Sequence, residues 1–348
     1  MTCYDAFHRS IDYLRVSVTD RCNLRCVYCM PPQGVPLRPH EEILTYEEIE
    51  LIVRAAVGLG IRRVRLTGGE PLVRLDIVEL VRALRAIPGL EDLSMTTNGI
   101  LLPRYAQALA EAGLDRVNIS LDTLRPERFH KITRLGRLED VLAGIEAAHA
   151  AGLEPVKINF VAVRNLNDDE IVDFARQTRE QGWHVRFIEF MPVGIWSAND
   201  EAWKRDGFLP VRVIRQRIES ALGELIPYPG PASQTDFATG VSSSVRLLGG
   251  GPARYYRLPG ATGTIGFISA VSQHFCATCN RLRLTADGRL RPCLLSDIEL
   301  DIRAPLRAGA TLEQVQELLR RAVALKPAGH RLSEGLSPHR RTMSQIGG

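Results

Sequence analysis

From Tyr13 to about residue 191 the chain alternates short β-rich runs with longer segments of helical character. Strands are predicted over 13–18, 63–67, 93–97, 116–121, 155–161 and 184–190, with helices near 46–59, 74–86, 103–112, 138–151 and 168–181. The fourth helix runs out at Ala151-Gly152, where glycine suits the position past a helix end. Such alternation predicts parallel strands joined by right-handed crossovers, an α/β fold. Six units are fewer than the eight of a closed barrel, which favours an open, partial (βα)6 TIM-like barrel over a doubly wound sheet.

Period-two alternation sorts these strands into two unlike faces. One reads Arg15 and Ser17, then Arg63, Arg65 and Thr67, then Ser94 and Thr96, then Asn118, Ser120 and Asp122, then Lys157 and Asn159. The other reads Leu14, Val16, Val18, Val64, Leu66, Val117, Ile119, Leu121, Val156, Ile158 and Phe160, a face made for packing under helices. The lumen is therefore expected to be a polar, cationic chamber rather than a packed core. Its arginines and lysine favour an anionic ligand such as a polyphosphate. The alternative is a set of rim residues open to bulk water.

Composition adds bounds. With 348 residues, 45% hydrophobic and 24% charged, the chain has room for a large domain, 1–225, and a smaller α+β domain, 226–348. A net charge of +4 is too small to suggest nucleic acid by itself, and no apolar run approaches the roughly 20 residues that span a bilayer. The N-terminus lacks a basic segment followed by an apolar one, so a reducing cytoplasm is expected. There cysteines serve metals or catalysis more often than disulfides.

Six of the seven cysteines fall into two triplets, and Cys3 has no assigned role. Cys22, Cys26 and Cys29 form C-x3-C-x2-C just after the first strand, where barrel enzymes keep their chemistry. Three thiolates on a four-iron cube leave one iron open to a ligand. Structural zinc sites instead prefer four protein ligands. Thr67-Gly68-Gly69-Glu70-Pro71, Thr96-Thr97-Asn98-Gly99 and Ser120-Leu121-Asp122 end the next three strands. Cys276, Cys279 and Cys293 form C-x2-C-x13-C, and Asp287-Gly288 between them is a hairpin signal that folds Cys293 back. A zinc knuckle completed by His274 is the competing reading. Arg281 and Arg283 would share one strand face beside this metal.

The first triplet, with an aromatic residue before its last cysteine, resembles the radical S-adenosylmethionine (SAM) enzymes, and Gly68-Gly69-Glu70-Pro71 resembles their GGEP motif. With the second triplet, the Asn280-Arg281-Leu282-Arg283 run and a terminal Gly347-Gly348, the chain resembles the GTP 3′,8-cyclases of molybdenum cofactor biosynthesis over nearly its whole length. That resemblance implies two [4Fe–4S] clusters, on Cys22, Cys26 and Cys29 and on Cys276, Cys279 and Cys293, the open iron of the second meeting the guanine base. It implies SAM contacts at Tyr28, Gly69, Glu70, Ser120 and Met191. It implies GTP contacts at Arg15, Arg65, Thr96, Lys157, Arg281, Leu282 and Arg283, with Arg281, Arg283, Gly347 and Gly348 in the reaction itself. A 5′-deoxyadenosyl radical would take hydrogen from C3′ of GTP, and the carbon radical would attack C8. The product would be (8S)-3′,8-cyclo-7,8-dihydroguanosine 5′-triphosphate, passed to the cyclic pyranopterin monophosphate synthase. A homodimer and a reductant such as flavodoxin or ferredoxin are also implied, with no nucleic-acid or membrane partner.

Overall fold

The computed structural model describes residues 2–191, 193, 206–228, 250–334 and 340–347. Gly348 and residues 229–249 lie outside them. In chain order the first half is β1 (Tyr13–Ser17), α1 (Tyr46–Gly58), β2 (Arg63–Thr67), α2 (Ile77–Arg85), β3 (Asp92–Thr97), α3 (Leu102–Glu111), β4 (Arg116–Ser120), α4 (Pro126–Thr133), α5 (Leu138–Ala150), β5 (Lys157–Ala162), α6 (Ile171–Glu180) and β6 (His184–Glu189). The rest is α7 (Val211–Leu222), β7 (Ile226–Pro227), β8 (Arg254–Arg257), β9 (Thr264–Ile268), β10 (Arg281–Leu284), β11 (Arg289–Arg291), β12 (Leu300–Asp301), α8 (Arg303–Arg307), α9 (Leu312–Ala324) and α10 (Met343–Ile346).

All six predicted strands and five predicted helices are present. α2 starts three residues later than expected, because Pro71–Val73 forms a 3-10 turn and Asp76 takes a left-handed conformation ahead of the helix. α4 was not anticipated. Its apolar signal is short, with Phe129 and Ile132 one turn apart.

β1 to β6 pair in parallel and in sequence order, without the reversal that marks a doubly wound sheet. The C-terminal segment builds no separate sheet. β10 pairs in parallel with β1 and β9 in parallel with β6, so both edges of the six-stranded arc are covered and eight strands run in parallel. An uncovered strand edge presents unpaired amides and carbonyls, which this arrangement removes. β11 and β12 extend one side and β8 and β7 the other, both antiparallel.

The apolar strand face packs under the helices as its pattern requires. Leu14, Val16, Val64, Leu66, Val117, Ile119, Ile158 and Phe160 are fully buried with Ile49, Ile52 and Val53 of α1 and Phe174 of α6. Phe160 meets Phe174 at 4.5 Å and Phe187 at 5.4 Å between ring centroids. A Thr45–Glu48 capping box starts α1 and a Thr311–Gln314 box starts α9, which docks on α1. Among the described residues no helix is long and apolar enough to cross a membrane.

Candidate active site

The loop after β1 carries the first triplet and lies directly on the loop after β2. Gly69 N donates to Thr19 O at 2.9 Å and Glu70 N to Arg21 O at 2.8 Å. A Cβ on Gly69 would stand 2.3 Å from Arg21 O, so here the glycine serves the close approach of two loops. The cysteine loop is closed by Cys29 N to Cys26 O at 2.9 Å and by Leu24 N to the Cys22 sulfur at 3.3 Å. Burial raises Cys22 to about 11 and Cys29 to about 12, and burial with the neighbouring Cys29 and Cys22 pushes Cys26 well above the usual thiol range. Three converging thiols that oppose one another's ionisation suit a cationic metal centre, which strips their protons on binding. The donor set therefore fits an iron–sulfur cluster.

Beside it Tyr28 hydrogen-bonds through its phenol to Asp122, whose other oxygen accepts from Val161 N at 2.7 Å. Burial nevertheless brings the Asp122 carboxyl up to about 6. Cys26, Tyr28, Asn98, Ser120 and Asp122 line a small pocket. Glu70, 1% exposed, accepts from Leu72 N at 3.1 Å, Thr97 Oγ1 at 2.7 Å and Asn98 N at 2.7 Å. Burial lifts it to about 7 despite these donors. Its oxygens thus bind the ends of the second and third loops to each other. Met191 packs against the apolar cluster of Val193, Leu295 and Ile346, while Tyr28 packs against that of Val163 and Phe190.

The polar strand face is enclosed. Lys157 is 1% exposed, Ser94 1% and Asn118 0%, so these are lumen residues and not an open rim. Arg15 sits in register between Arg65 on β2 and Arg283 on β10. Burial, with Arg283 and Arg65 as like-charged neighbours, pushes Arg15 well down. Burial brings Arg65 and Arg283 to about 10, the latter helped by Arg281. Lys157 falls well below the usual lysine range through burial and the nearby Arg186, Arg116 and Arg65. Asp92, the carboxylate beside this group, is already in an ion pair with Arg116. Tyr13 Oη, Asn118 Oδ1, Asn159 Oδ1 and Arg186 Nε are buried without a hydrogen-bond partner among the described residues. Such a chamber of crowded cations and unsatisfied polar atoms is organised to receive an anion. Thr96 joins this wall beside Asn118, at 3.5 Å between side chains.

Arg186 was not anticipated. Its signal was present, since it alternates with Val185 and Phe187 along β6 and pairs with Asn159. Leu282 turns the other way, its side chain 1% exposed in the apolar core opposite Leu14.

The hairpin expected at Asp287-Gly288 is present, and Cys293 lies near enough to Cys279 and Cys276 to feel their charge. Arg283 pairs with Arg291 across the β10–β11 turn, and Cys293 follows directly. Burial would raise Cys279, but Arg281 and Lys326 bring it down to about 7. Lys326 donates at 2.7 Å to both Arg281 O and Pro292 O, which ties the strand to the hairpin exit and sets its charge beside the Cys279 thiol. From the other end of the chain Arg9 donates to Cys276 O at 2.7 Å and Pro327 O at 2.7 Å. Neither Lys326 nor Arg9 has a sequence signature that marks it.

His274, Cys276 and His330 also bring ligand atoms within 4.8 Å of one another. His330 is already engaged by Ala270 O at 2.9 Å and Leu332 N at 3.4 Å, whereas the zinc knuckle completed by His274 does not call on it. Gly347 closes the constellation. Its carbonyl accepts from Arg15 at 3.3 Å, its φ is +85°, and a Cβ there would lie 2.7 Å from Thr67 Oγ1.

Comparison with known proteins agrees with this geometry. Residues 16–178 match the family model of the radical SAM superfamily, and residues 183–332 match that of Molybdenum Cofactor Synthesis C. The fold resembles Streptococcus suis SuiB bound to precursor peptide SuiA, with a TM-score of 0.57, 14% identity, and 97% of this chain and 76% of that chain covered. Against SuiB bound to S-adenosylmethionine the TM-score is 0.56 at 14% identity, covering 87% of this chain and 65% of that chain. At that identity the likeness concerns the fold alone. The GTP 3′,8-cyclases of Heliobacterium modesticaldum and Moorella thermoacetica are 53% and 54% identical, each covering 99% of both chains. On that full-length match, the chain belongs to the GTP 3′,8-cyclase family of radical SAM enzymes.

Proposed function

We infer that this protein is a GTP 3′,8-cyclase that converts GTP to (8S)-3′,8-cyclo-7,8-dihydroguanosine 5′-triphosphate, an early step of molybdenum cofactor synthesis. The observation that carries this reading is the enclosed cation set of Arg15, Arg65, Lys157, Arg186 and Arg283. It is bounded by β1, which leads into Cys22, and by β10, which follows Cys279. Cys22, Cys26 and Cys29 would hold a [4Fe–4S] cluster and its SAM, which supply the one-electron chemistry that removes hydrogen from the ribose C3′. Tyr28, Gly69, Glu70, Ser120 and Met191 are the SAM-contacting positions in this reading, and Asp122 orients the Tyr28 ring.

Cys276, Cys279 and Cys293 would hold a second cluster against the guanine base. Arg15, Arg65, Thr96, Lys157, Arg281, Arg283 and the added Arg186 bind the other end of the nucleotide, with Leu282 contributing backbone only. Fixing both ends of GTP holds C3′ and C8 in near-attack geometry, and this replaces any need for a general base. Enclosure also keeps water and bulk solutes from a reactive carbon centre. Gly347 lies against Arg15 at the lumen wall, and Gly348 shares its part in the reaction in this reading. The division of labour falls between 1–225 and 226–348. A flavodoxin or ferredoxin reductant, a homodimer and transfer of the product to a cyclic pyranopterin monophosphate synthase belong to the same reading.

The test is an anaerobic reaction of iron-reconstituted protein with SAM, dithionite and GTP, followed by mass spectrometry. GTP-dependent 5′-deoxyadenosine and a cyclised guanosine triphosphate are expected. SAM cleavage that ignores GTP would remove the substrate assignment.

A further inference from the structure

Two guanidiniums grip the backbone of the first cysteine loop. Arg25, between Cys22 and Cys26, donates through Nη1 to Cys22 O at 2.6 Å and Leu24 O at 2.8 Å. Arg134, at the end of α4, donates through Nη1 to Arg25 O at 2.8 Å and Met30 O at 3.1 Å. Those carbonyls belong to Cys22 itself and to the residues just before Cys26 and just after Cys29. Backbone bonds from the same loop to the end of α4 lie beside them, Arg25 N to Thr133 O and Val27 N to Ile132 O, both at 2.9 Å. The turn closed by Gly34 N on Pro31 O folds over this brace, and a Cβ on Gly34 would stand 2.9 Å from Arg25 Nε.

Arg134 holds its place against its backbone preference. It ends α4 at φ +61° and ψ −21°, a left-handed conformation that glycine adopts at little cost. What arginine supplies there and glycine would not is the reach to two carbonyls of the cysteine loop. Among the described residues, the polar partners of both guanidiniums are backbone carbonyls, with no carboxylate. The buried carboxyls Glu70 and Asp122 are taken up instead by Thr97, Asn98, Tyr28 and Val161. Two uncompensated positive charges therefore stand half-buried at this loop, beside the buried side chains of Leu24 and Met30.

We propose that Arg25 and Arg134 are positioning residues for the iron–sulfur centre that Cys22, Cys26 and Cys29 would hold, and that their unpaired charge raises the reduction potential of that centre. The proposal rests on the reading of the first triplet as a cluster site. Accepting one electron from a low-potential reductant adds one negative charge to the cluster and its thiolates. Fixed positive charge nearby stabilises the reduced form over the oxidised one, and partial burial weakens the screening of that charge by salt. The hydrogen bonds to the loop carbonyls keep both guanidiniums from drifting into solvent, and the same bonds hold the cysteine loop in shape before metal arrives.

The test is an EPR-monitored redox titration of the reconstituted full chain, following the reduced-cluster signal that SAM perturbs and counting it per loaded centre. Arg25→Gln keeps a donor for the carbonyls but carries no charge, and it is expected to lower the reduced:oxidised ratio at a fixed potential about tenfold, or ~59 mV for a one-electron couple. Arg25→Lys keeps the charge and should stay within about twofold of the parent. Arg134→Gly suits the left-handed helix end, removes the second guanidinium and should shift the potential in the same direction as Arg25→Gln. In metal-free protein, iodoacetamide should modify Cys26 and Cys29 several-fold faster in Arg134→Gly than in the parent, read by peptide mass spectrometry. Equal potentials in all four proteins, or a fall in Arg25→Lys as large as in Arg25→Gln, would overturn the role of charge. Equal alkylation would overturn the brace. A parent chain that takes up no iron would instead defeat the cluster reading, with the alkylation rates still deciding whether Arg134 holds the loop.

Discussion

Arg15 reaches from the first strand to the carbonyl of Gly347, 3.3 Å away, so residues 332 positions apart share one wall of the lumen. Gly347 is in the left-handed region at φ +85°, with Ser17 and Thr67 filling the space where a Cβ would go. Gly347→Ala is therefore expected to displace the chain end and reduce cyclised product, while 5′-deoxyadenosine still forms. Deletion of residues 347–348 should do the same. Unchanged product yield by mass spectrometry would make the chain end incidental.

Arg281 and Arg283 lie on the lumen side of β10, next to the second triplet. Replacing either by Ala removes charge-assisted contacts worth about 1.5–3 kcal/mol each, or roughly 10- to 100-fold in GTP affinity. Iron content should stay at the parent level in Arg283→Ala, because that side chain does not ligate metal in this reading. Full GTP affinity in both variants, measured by calorimetry, would refute their part in holding the nucleotide.

Lys157 supplies a pH signature. Burial and three neighbouring arginines hold its pKa well below the ordinary 10.5, so the free protein loses this proton early as pH rises. A bound triphosphate adds compensating negative charge and pulls that pKa back up. Binding must then take up protons, and GTP affinity must fall as pH rises through the depressed value. Titration calorimetry in two buffers of different ionisation enthalpy measures the uptake, which Lys157→Gln should abolish. Affinity that stays flat at every pH below the ordinary lysine value of 10.5 contradicts the assignment.

Lys326 is expected to govern the second metal site without ligating it. Lys326→Met leaves the carbonyls of Arg281 and Pro292 without their ammonium donor, at a cost of about 1–3 kcal/mol for each group left unsatisfied. It also removes a charge that holds Cys279 near 7 and favours its thiolate. The variant should bind about half the iron of the parent and melt earlier. Full iron loading would show that the hairpin holds Cys279 and Cys293 unaided.

Gly69→Ala places a methyl group 2.3 Å from the Arg21 carbonyl, which forces the loops after β1 and β2 apart. Strain of this kind costs about 1–3 kcal/mol. Because the displaced loop leads into Cys22, iron at the first triplet should fall while the second triplet stays loaded. Mössbauer or EPR quantitation separates the two, and normal loading of both would mean that the loop absorbs the strain.

Much of this was written locally. Period-two alternation separated a core face from a lumen face on β1 to β5, because a strand can bury one side only by putting apolar residues at every second position. The same rule on β6 marks Arg186 beside Asn159, though that position was not singled out beforehand. Cysteine spacing located both triplets, and Asp287-Gly288 disclosed the hairpin that makes the second one converge.

What only the tertiary structure decided are the relationships that no periodicity records. Parallel pairing of β10 with β1 and β9 with β6 follows from which strand edges lack partners once the arc has formed. The hold of Lys326 on Cys279 and of Arg9 on Cys276 arises between residues 47 and 267 positions apart. A lone Lys or Arg in a loop has no local signature, because its role depends on which buried carbonyl or charge the folded chain brings to it.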